Sequence, residues 1–163
     1  VIKINLADVP LRDHNHGDSF EARLGRIGPL IGAKDLGCQL HIVPPGKKAF
    51  PFHAHHNNEE MFFVLKGHGE YRFGAQRLDV HEGDILGAPC GDADMAHQII
   101  NTGGGDLHYL AFSTRNDPDV IEYPDTGKFA VASRVPEDKG LMAARIAYVG
   151  RIENSLDYWE DEK

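Results

Sequence analysis

Glycine and proline cut this chain into pieces too short for anything but strands and turns. The breaks fall at Gly25, Gly28-Pro29, Gly32, Gly37, Pro44-Pro45-Gly46, Gly67, Gly69, Gly74, Gly83, Gly87, Pro89, Gly91 and Gly103-Gly104-Gly105. Between them lie CQLHIV, EMFFVLK, GEYRF, RLDV, DILGAP, HQIIN and LHYLAFST. These pieces have the length and composition of strands. Short strands at regular spacing, divided by turn signals, predict an all-β sandwich or barrel. Between 35 and 115 no window shows a helical stripe of ten or more residues, and no strand-helix-strand rhythm appears. A nucleotide-binding parallel sheet is therefore not expected. EDKGLMAARIAYVG is apolar enough for a short helix or a strand, and its periodicity does not separate the two. The acidic stretch from Glu153 to Lys163 is expected to fray.

With 163 residues, the chain is expected to form one domain, 1–163, that buries roughly 70% of its unfolded surface. Its formal charge is −8, which argues against nucleic acid as a partner, since phosphate binding needs concentrated Lys and Arg. No apolar run approaches the roughly 20 residues of a membrane-spanning helix. The stretch VIKINLADVPLRDHNH lacks the basic-then-apolar layout of a secretory signal. Cys38 and Cys90 are the two cysteines, sparse usage that suits a reducing compartment. A soluble, cytoplasmic protein is the expectation.

Three of the ten histidines fall within four positions: His53, His55 and His56. Residues two apart on a strand point to one face, so His53 and His55 project together at chelating distance and His56 turns away. Asn57-Asn58 reads as a turn. Glu59 and Glu60 follow, and strand parity alone does not choose between them: Glu60 would bring Phe62 and Val64 inward, Glu59 would bring Met61, Phe63 and Leu65. His97, after the loop Cys90–Ala96, is the third candidate imidazole. Three imidazoles with one carboxylate suit a divalent transition metal such as Mn, Fe, Co, Ni or Zn. On a six-coordinate ion these four ligands leave two positions open for chemistry; around tetrahedral zinc they would close the site and make it structural.

Other histidines have plainer readings. His14, His16, His68 and His81 are expected to be solvated, although His14-x-His16 has chelating spacing too. His41 and His108 sit in apolar strands and read as core or pocket lining.

These residues resemble the two motifs of the cupin superfamily. The first is Gly, five residues, His-x-His, three or four residues, Glu, six residues, Gly. Here Gly46 is followed by six residues, His53-Ala54-His55, four residues, Glu60, six residues and Gly67, a count that selects Glu60. The second is Gly, five residues, Pro-x-Gly, two residues, His, three residues, Asn. Here it is Gly83, five residues, Pro89-Cys90-Gly91, five residues, His97, three residues and Asn101. Fifteen residues separate Gly67 from Gly83, the compact spacing of small cupins. The chain departs by one extra residue before His53 and three before His97.

Over most of its length the sequence is similar to small single-domain bacterial cupins, some of them sugar-phosphate-isomerase-like. The resemblance implies a double-stranded β-helix, the jelly-roll barrel, with its core at about 35–115 and short N- and C-terminal extensions. It also implies one metal ion held by His53, His55, Glu60 and His97, a ligand pocket inside the barrel, and a homodimer. The leading expectation is a metal-dependent enzyme acting on a small polar substrate such as a sugar or sugar phosphate. The alternatives are an Fe(II)-dependent dioxygenase and a non-catalytic binding or sensing module. No catalytic base is assigned. Tyr71, Tyr109, His41 and Gln39 are candidates for lining the pocket, and Lys47, Lys48, Arg72 and Arg115 for recognising phosphate. Tyr148, Tyr158 and Trp159 are expected to pack on the barrel or on a second subunit.

Overall fold

Thirteen strands and a few 3-10 turns make up the regular structure of the described residues, 2–136 and 139–162, in a computed structural model. The strands are β1 (Arg12–His16), β2 (Phe20–Arg26), β3 (Leu36–Val43), β4 (Ala54–His55), β5 (Glu60–Lys66), β6 (His68–Phe73), β7 (Gln76–His81), β8 (Ile85–Ala88), β9 (His97–Ile100), β10 (Leu107–Thr114), β11 (Asp119–Tyr123), β12 (Lys128–Ser133) and β13 (Ile146–Gly150). All seven strand-like pieces of the sequence between 38 and 114 are strands.

One wall of the barrel is a six-stranded antiparallel sheet in the order β1-β2-β3-β10-β5-β8. The opposite wall joins the three-stranded sheet β7-β6-β9 to the four-stranded sheet β13-β12-β11-β4. Residues 48–55 stitch the two together through bridges of Lys48 to Ile100 and His53 to His97, and through the pairing of β4 with β11. Val43, Val64 and Leu107 of the first wall pack with Tyr71, Val80 and Ile99 of the second in one apolar core. This is a jelly roll, a double-stranded β-helix.

The inward rows of the large sheet change character along their length, and this decides where a site can form. On β3 the inward residues run Val43, His41, Gln39, Gly37; on β10 they run Leu107, Tyr109, Ala111, Ser113, in register opposite them. On β5 the row is Val64, Phe62, Glu60. Each row is apolar at one end and polar at the other. The apolar end closes the barrel with packed side chains, and the polar end stays open.

Two local devices hold this arrangement. Gly67, at φ +89°, ends β5 in a turn where an added Cβ would sit 2.9 Å from the Asp106 carbonyl, so only glycine fits. Asn101 is fully buried and donates 2.8 Å hydrogen bonds to the Val43 and Gly105 carbonyls while accepting one from the Gly103 amide. The last residue of the second motif is thus a structural tie.

The ambiguous segment near the C-terminus divides: Leu141–Ala143 is a single 3-10 turn and Ile146–Gly150 is an edge strand on β12. Its residues 137 and 138 lie outside the described part. No helix of the described residues is long and apolar enough to cross a membrane. Cys38 and Cys90 are both free thiols.

Candidate metal centre

At the open end, three imidazoles from different parts of the barrel turn toward one carboxylate oxygen, that of Glu60. His53 sits on a bridge to β9, donating its amide to the His97 carbonyl at 3.2 Å and accepting the His97 amide at 2.8 Å. His55 closes β4, Glu60 opens β5, and His97 opens β9. Around Glu60 Oε2, His97 Nε2 stands at 2.8 Å, and His53 Nε2 and His55 Nε2 each at 3.6 Å. The other glutamate, Glu59, is exposed, as are Met61 and Phe63, whereas Phe62 and Val64 are buried. Glu60 is the inward residue.

The three extra residues before His97 do not displace it. They are taken up in the turn Ala93–Met95, where the Met95 amide bonds the Asp92 carbonyl at 2.9 Å and the Ala96 amide bonds the Ala93 carbonyl at 3.2 Å.

The far nitrogen of each imidazole has its own acceptor. His55 Nδ1 lies 2.6 Å from Asp119 Oδ2, His53 Nδ1 lies 2.8 Å from the Pro51 carbonyl, and His97 Nδ1 lies 3.4 Å from the Met95 carbonyl. With the proton on Nδ1, the Nε2 lone pair of each ring points at the cluster, the tautomer a metal ligand needs. Donors that share one ion at roughly 2.0–2.2 Å stand about 3 Å from each other. The donor atoms of His53, Glu60 and His97 all lie within 4.8 Å of one another, as a shared ion requires, with His55 Nε2 joining through its 3.6 Å approach to Glu60, and the nitrogen and oxygen donor set suits a borderline transition metal.

The electrostatics agree. Burial by itself would push the Glu60 carboxyl up, but the imidazoles of His53, His97 and His55 hold it well below the usual carboxylate range. Burial lowers His97. It also acts to lower His55, yet the bond to Asp119 and the negative charges of Glu60 and Asp119 together outweigh it and raise that imidazole. A buried anion ringed by imidazoles is the charge pattern a divalent cation would complete.

A cavity of about 390 Å³ opens above the cluster, lined by His41, Gln39, Tyr109, Phe112, Tyr123 and Arg115 among others. His41 is buried opposite Tyr109, with Nδ1 3.0 Å from the phenol oxygen, and burial lowers its pKa to about 4. Three of the four pocket candidates, His41, Gln39 and Tyr109, line this space. Tyr71 instead belongs to the packed core, its hydroxyl donating to the Gly87 carbonyl at 3.0 Å.

Of the four phosphate candidates, only Arg115 reaches the cavity. Lys47 donates to the Asp18 carbonyl, Lys48 lies over the Phe20 ring, and Arg72 forms a two-pronged pair with Asp125 while stacking 3.6 Å from the Phe52 centroid. His14 is not solvated as expected: its Nε2 lies 3.1 Å from the Ala49 carbonyl and its ring packs on Phe50. Asn57-Asn58 is more than a turn. Asn57 donates its amide to Asp119 Oδ1 at 3.1 Å, and Asn58 Oδ1 accepts from Thr114 Oγ1 and the Asn116 amide.

The sequence reading missed Asp119. Its one advance signal was the Asp-Pro-Asp run after β10, which looks like an ordinary loop until β11 is paired with β4.

Comparison with known proteins places this architecture. A family model, the cupin domain, matches residues 39–113, the stretch that forms most of the jelly-roll barrel. Two solved structures share the fold over nearly the whole chain. A candidate sugar phosphate isomerase from Acidithiobacillus ferrooxidans has a TM-score of 0.78 at 23% identity, covering 96% of each chain. A sugar phosphate isomerase of the cupin superfamily from Silicibacter pomeroyi has 0.77 at 19% identity, covering 94% of each. Among curated relatives, auxin-binding protein 1 of Arabidopsis thaliana is 28% identical over 131 residues, 74% of this chain and 63% of that protein. The chain thus spans under two thirds of that relative's length. The oxalate-binding protein of Thermotoga maritima is 30% identical over 69 residues, 42% of this chain and 54% of that protein.

Proposed function

We propose that this cupin is a metal-dependent enzyme that shifts a proton between adjacent carbons of a sugar or sugar phosphate. The observation that carries the reading is the convergence of His53, His55 and His97 within 3.6 Å of one Glu60 oxygen at the open end of a cavity sized for a small metabolite. These four residues would hold one divalent ion, with Asp119, Pro51 and Met95 orienting the imidazoles. Such an ion supplies Lewis acidity for a substrate carbonyl and its neighbouring hydroxyl.

The chain's own groups do the rest. In an aldose–ketose interchange, the carbon beside the carbonyl loses its proton, the former carbonyl carbon gains one, and the hydroxyl proton moves to the old carbonyl oxygen. His41, neutral at pH 7 and tied to Tyr109, is suited to hydrogen-bond a substrate oxygen in that exchange, because a pKa of about 4 makes it a weak base. Phe62 and Phe112 form apolar wall that limits water. The names of the two similar structures agree with a sugar phosphate as substrate.

The test is incubation of metal-loaded protein with aldose and ketose phosphates in heavy water. Solvent deuterium appearing at the carbon next to the carbonyl supports the reading, and none across a broad panel overturns it. The names of the auxin-binding and oxalate-binding relatives support a second reading, ligand binding without turnover; saturable binding with no deuterium uptake and no consumption of ligand would favour it.

We also infer a cytoplasmic homodimer. Edge strand β13 leaves Ile146, Tyr148 and Val149 exposed, and Tyr158 and Trp159 beyond it are exposed and meet edge to face; a second copy would cover such surface.

A further inference from the structure

Arg115 stands at the open end of the barrel with its backbone fixed and its charge unanswered. It continues the inward row of β10 past Ser113, the residue opposite Glu60, so it lies two residues, about 6.6 Å, further out than the cluster. Both flanks are pinned. Thr114 exchanges hydrogen bonds of 3.0 Å with Glu59, and the Asn116 amide donates to Asn58 Oδ1 at 2.6 Å. The side chain lines both the main cavity and a second one of about 380 Å³ just outside it.

Three other arginines pair with acids, Arg23 with Asp106, Arg72 with Asp125 and Arg77 with Glu70. Among the described residues no carboxylate pairs with Arg115. Three acids line the outer cavity, and each already has partners: Glu60 faces the imidazoles of His53, His55 and His97. Asp119 accepts from His55 and from the Asn57 amide, and Asp117 accepts from Ser133 Oγ and the Arg134 amide. The remaining charges there are cationic: Arg26, whose guanidinium donates to the Lys139 carbonyl at 2.7 Å, with Lys34 and Lys139. On a chain of net charge −8, this is a local reversal of sign at the mouth of the cavity.

We propose that Arg115 receives the phosphate group of a phosphorylated substrate whose oxygenated end lies at the His53, His55, Glu60 and His97 cluster. The guanidinium fork matches phosphate oxygens in two-pronged geometry, and several cations around it suit a dianion better than a carboxylate. This inference rests on the reading of the site as one for sugar derivatives and names the group by which that substrate is chosen.

Calorimetric titration of the purified protein tests it with aldose and ketose phosphates of three to six carbons, the free sugars, the corresponding sugar acids and inorganic phosphate. At least one phosphate ester binds, its free sugar binds far more weakly, and inorganic phosphate competes. Arg115→Gln weakens the ester by roughly tenfold or more and leaves the free sugar unchanged. Arg115→Lys recovers part of the loss, and the surface variant Arg77→Gln loses nothing. If no ester binds, if Arg115→Gln binds it as tightly as the parent, or if sugar acids bind better than phosphates, the proposal is overturned. Should Arg115→Gln fail to fold, Arg115→Lys and the ester-to-sugar ratio of the parent decide the matter. Binding that survives without deuterium exchange would remove the isomerase reading and leave Arg115 its role.

Discussion

Asp119 Oδ2 lies 2.6 Å from His55 Nδ1, on the opposite edge of the ring from Glu60. The contact spans 64 residues of sequence and depends on β11 pairing with β4. It fixes both the rotation of the imidazole and the nitrogen that carries its proton. Burial would raise the Asp119 carboxyl, but the bonds from His55 and Asn58 keep it below its ordinary value, so the carboxylate is an anion throughout the neutral range. Asp119→Asn removes that charge and keeps the shape. The expected result is a barrel of near-parent stability whose affinity for the divalent ion falls about 10- to 100-fold, read by competition with a chromogenic chelator.

Stripping the ion should leave the fold intact and lower its resistance to heat. The apolar end is closed by Val43, Val64 and Leu107 without help from the cluster. A metal that binds only the native state adds stability by mass action, about 2.7 kcal/mol at 100 times its dissociation constant. Chelator-treated protein is expected to keep its β-sheet circular dichroism and to unfold several degrees lower. Glu60→Gln should show the same lower midpoint with or without added metal.

Stability without metal should fall on acidification through His41. Its folded pKa of about 4 lies below the unfolded value of 6.5, so the unfolded chain takes up a proton between these values while the native one does not. Stability then rises with pH across that window. The stabilisation is fully present above pH 6.5 and is lost as pH falls toward 4. The shift corresponds to a loss on the order of 3 kcal/mol. Urea melts at pH 7 and pH 4.5 would show a smaller difference for His41→Phe than for the parent; equal differences would mean that other groups carry the acid sensitivity.

How far the sequence reveals this molecule depends on the range of the interaction. Strand positions were legible because Gly and Pro act on their own backbone: CQLHIV and LHYLAFST lie within β3 and β10. The inward choice of Glu60 needed more than parity, since EMFFVLK is apolar on both faces. On its outer face only Leu65 is covered, by the cluster around Val9 and Ile27, while Met61 and Phe63 stay exposed. Asp119, the His41–Tyr109 pair and the pinning of Arg115 by Asn58 were illegible because each joins residues more than fifty positions apart. His14 was misjudged because its partner, the Ala49 carbonyl, is 35 positions away.

Leu107→Ala separates the two ends of the barrel energetically. Leu107 is fully buried and sits opposite Val43, at the end of the inward row away from Ser113 and Glu60. Cutting a buried leucine to alanine costs about 2 to 5 kcal/mol, depending on how far the cavity collapses. Close packing here resists collapse, since Val43 and Val64 are themselves fully buried. The cluster's histidines, by contrast, are held by β4, β9 and the bridge of His53 to His97, none of which Leu107 forms, and Glu60 lies on β5 opposite Ser113, at the far end of β10 from Leu107. The expected variant melts much earlier in urea and binds metal with parent affinity under conditions where it is folded. A parallel loss of metal affinity in folded protein would mean that the packed end and the open end act as one unit.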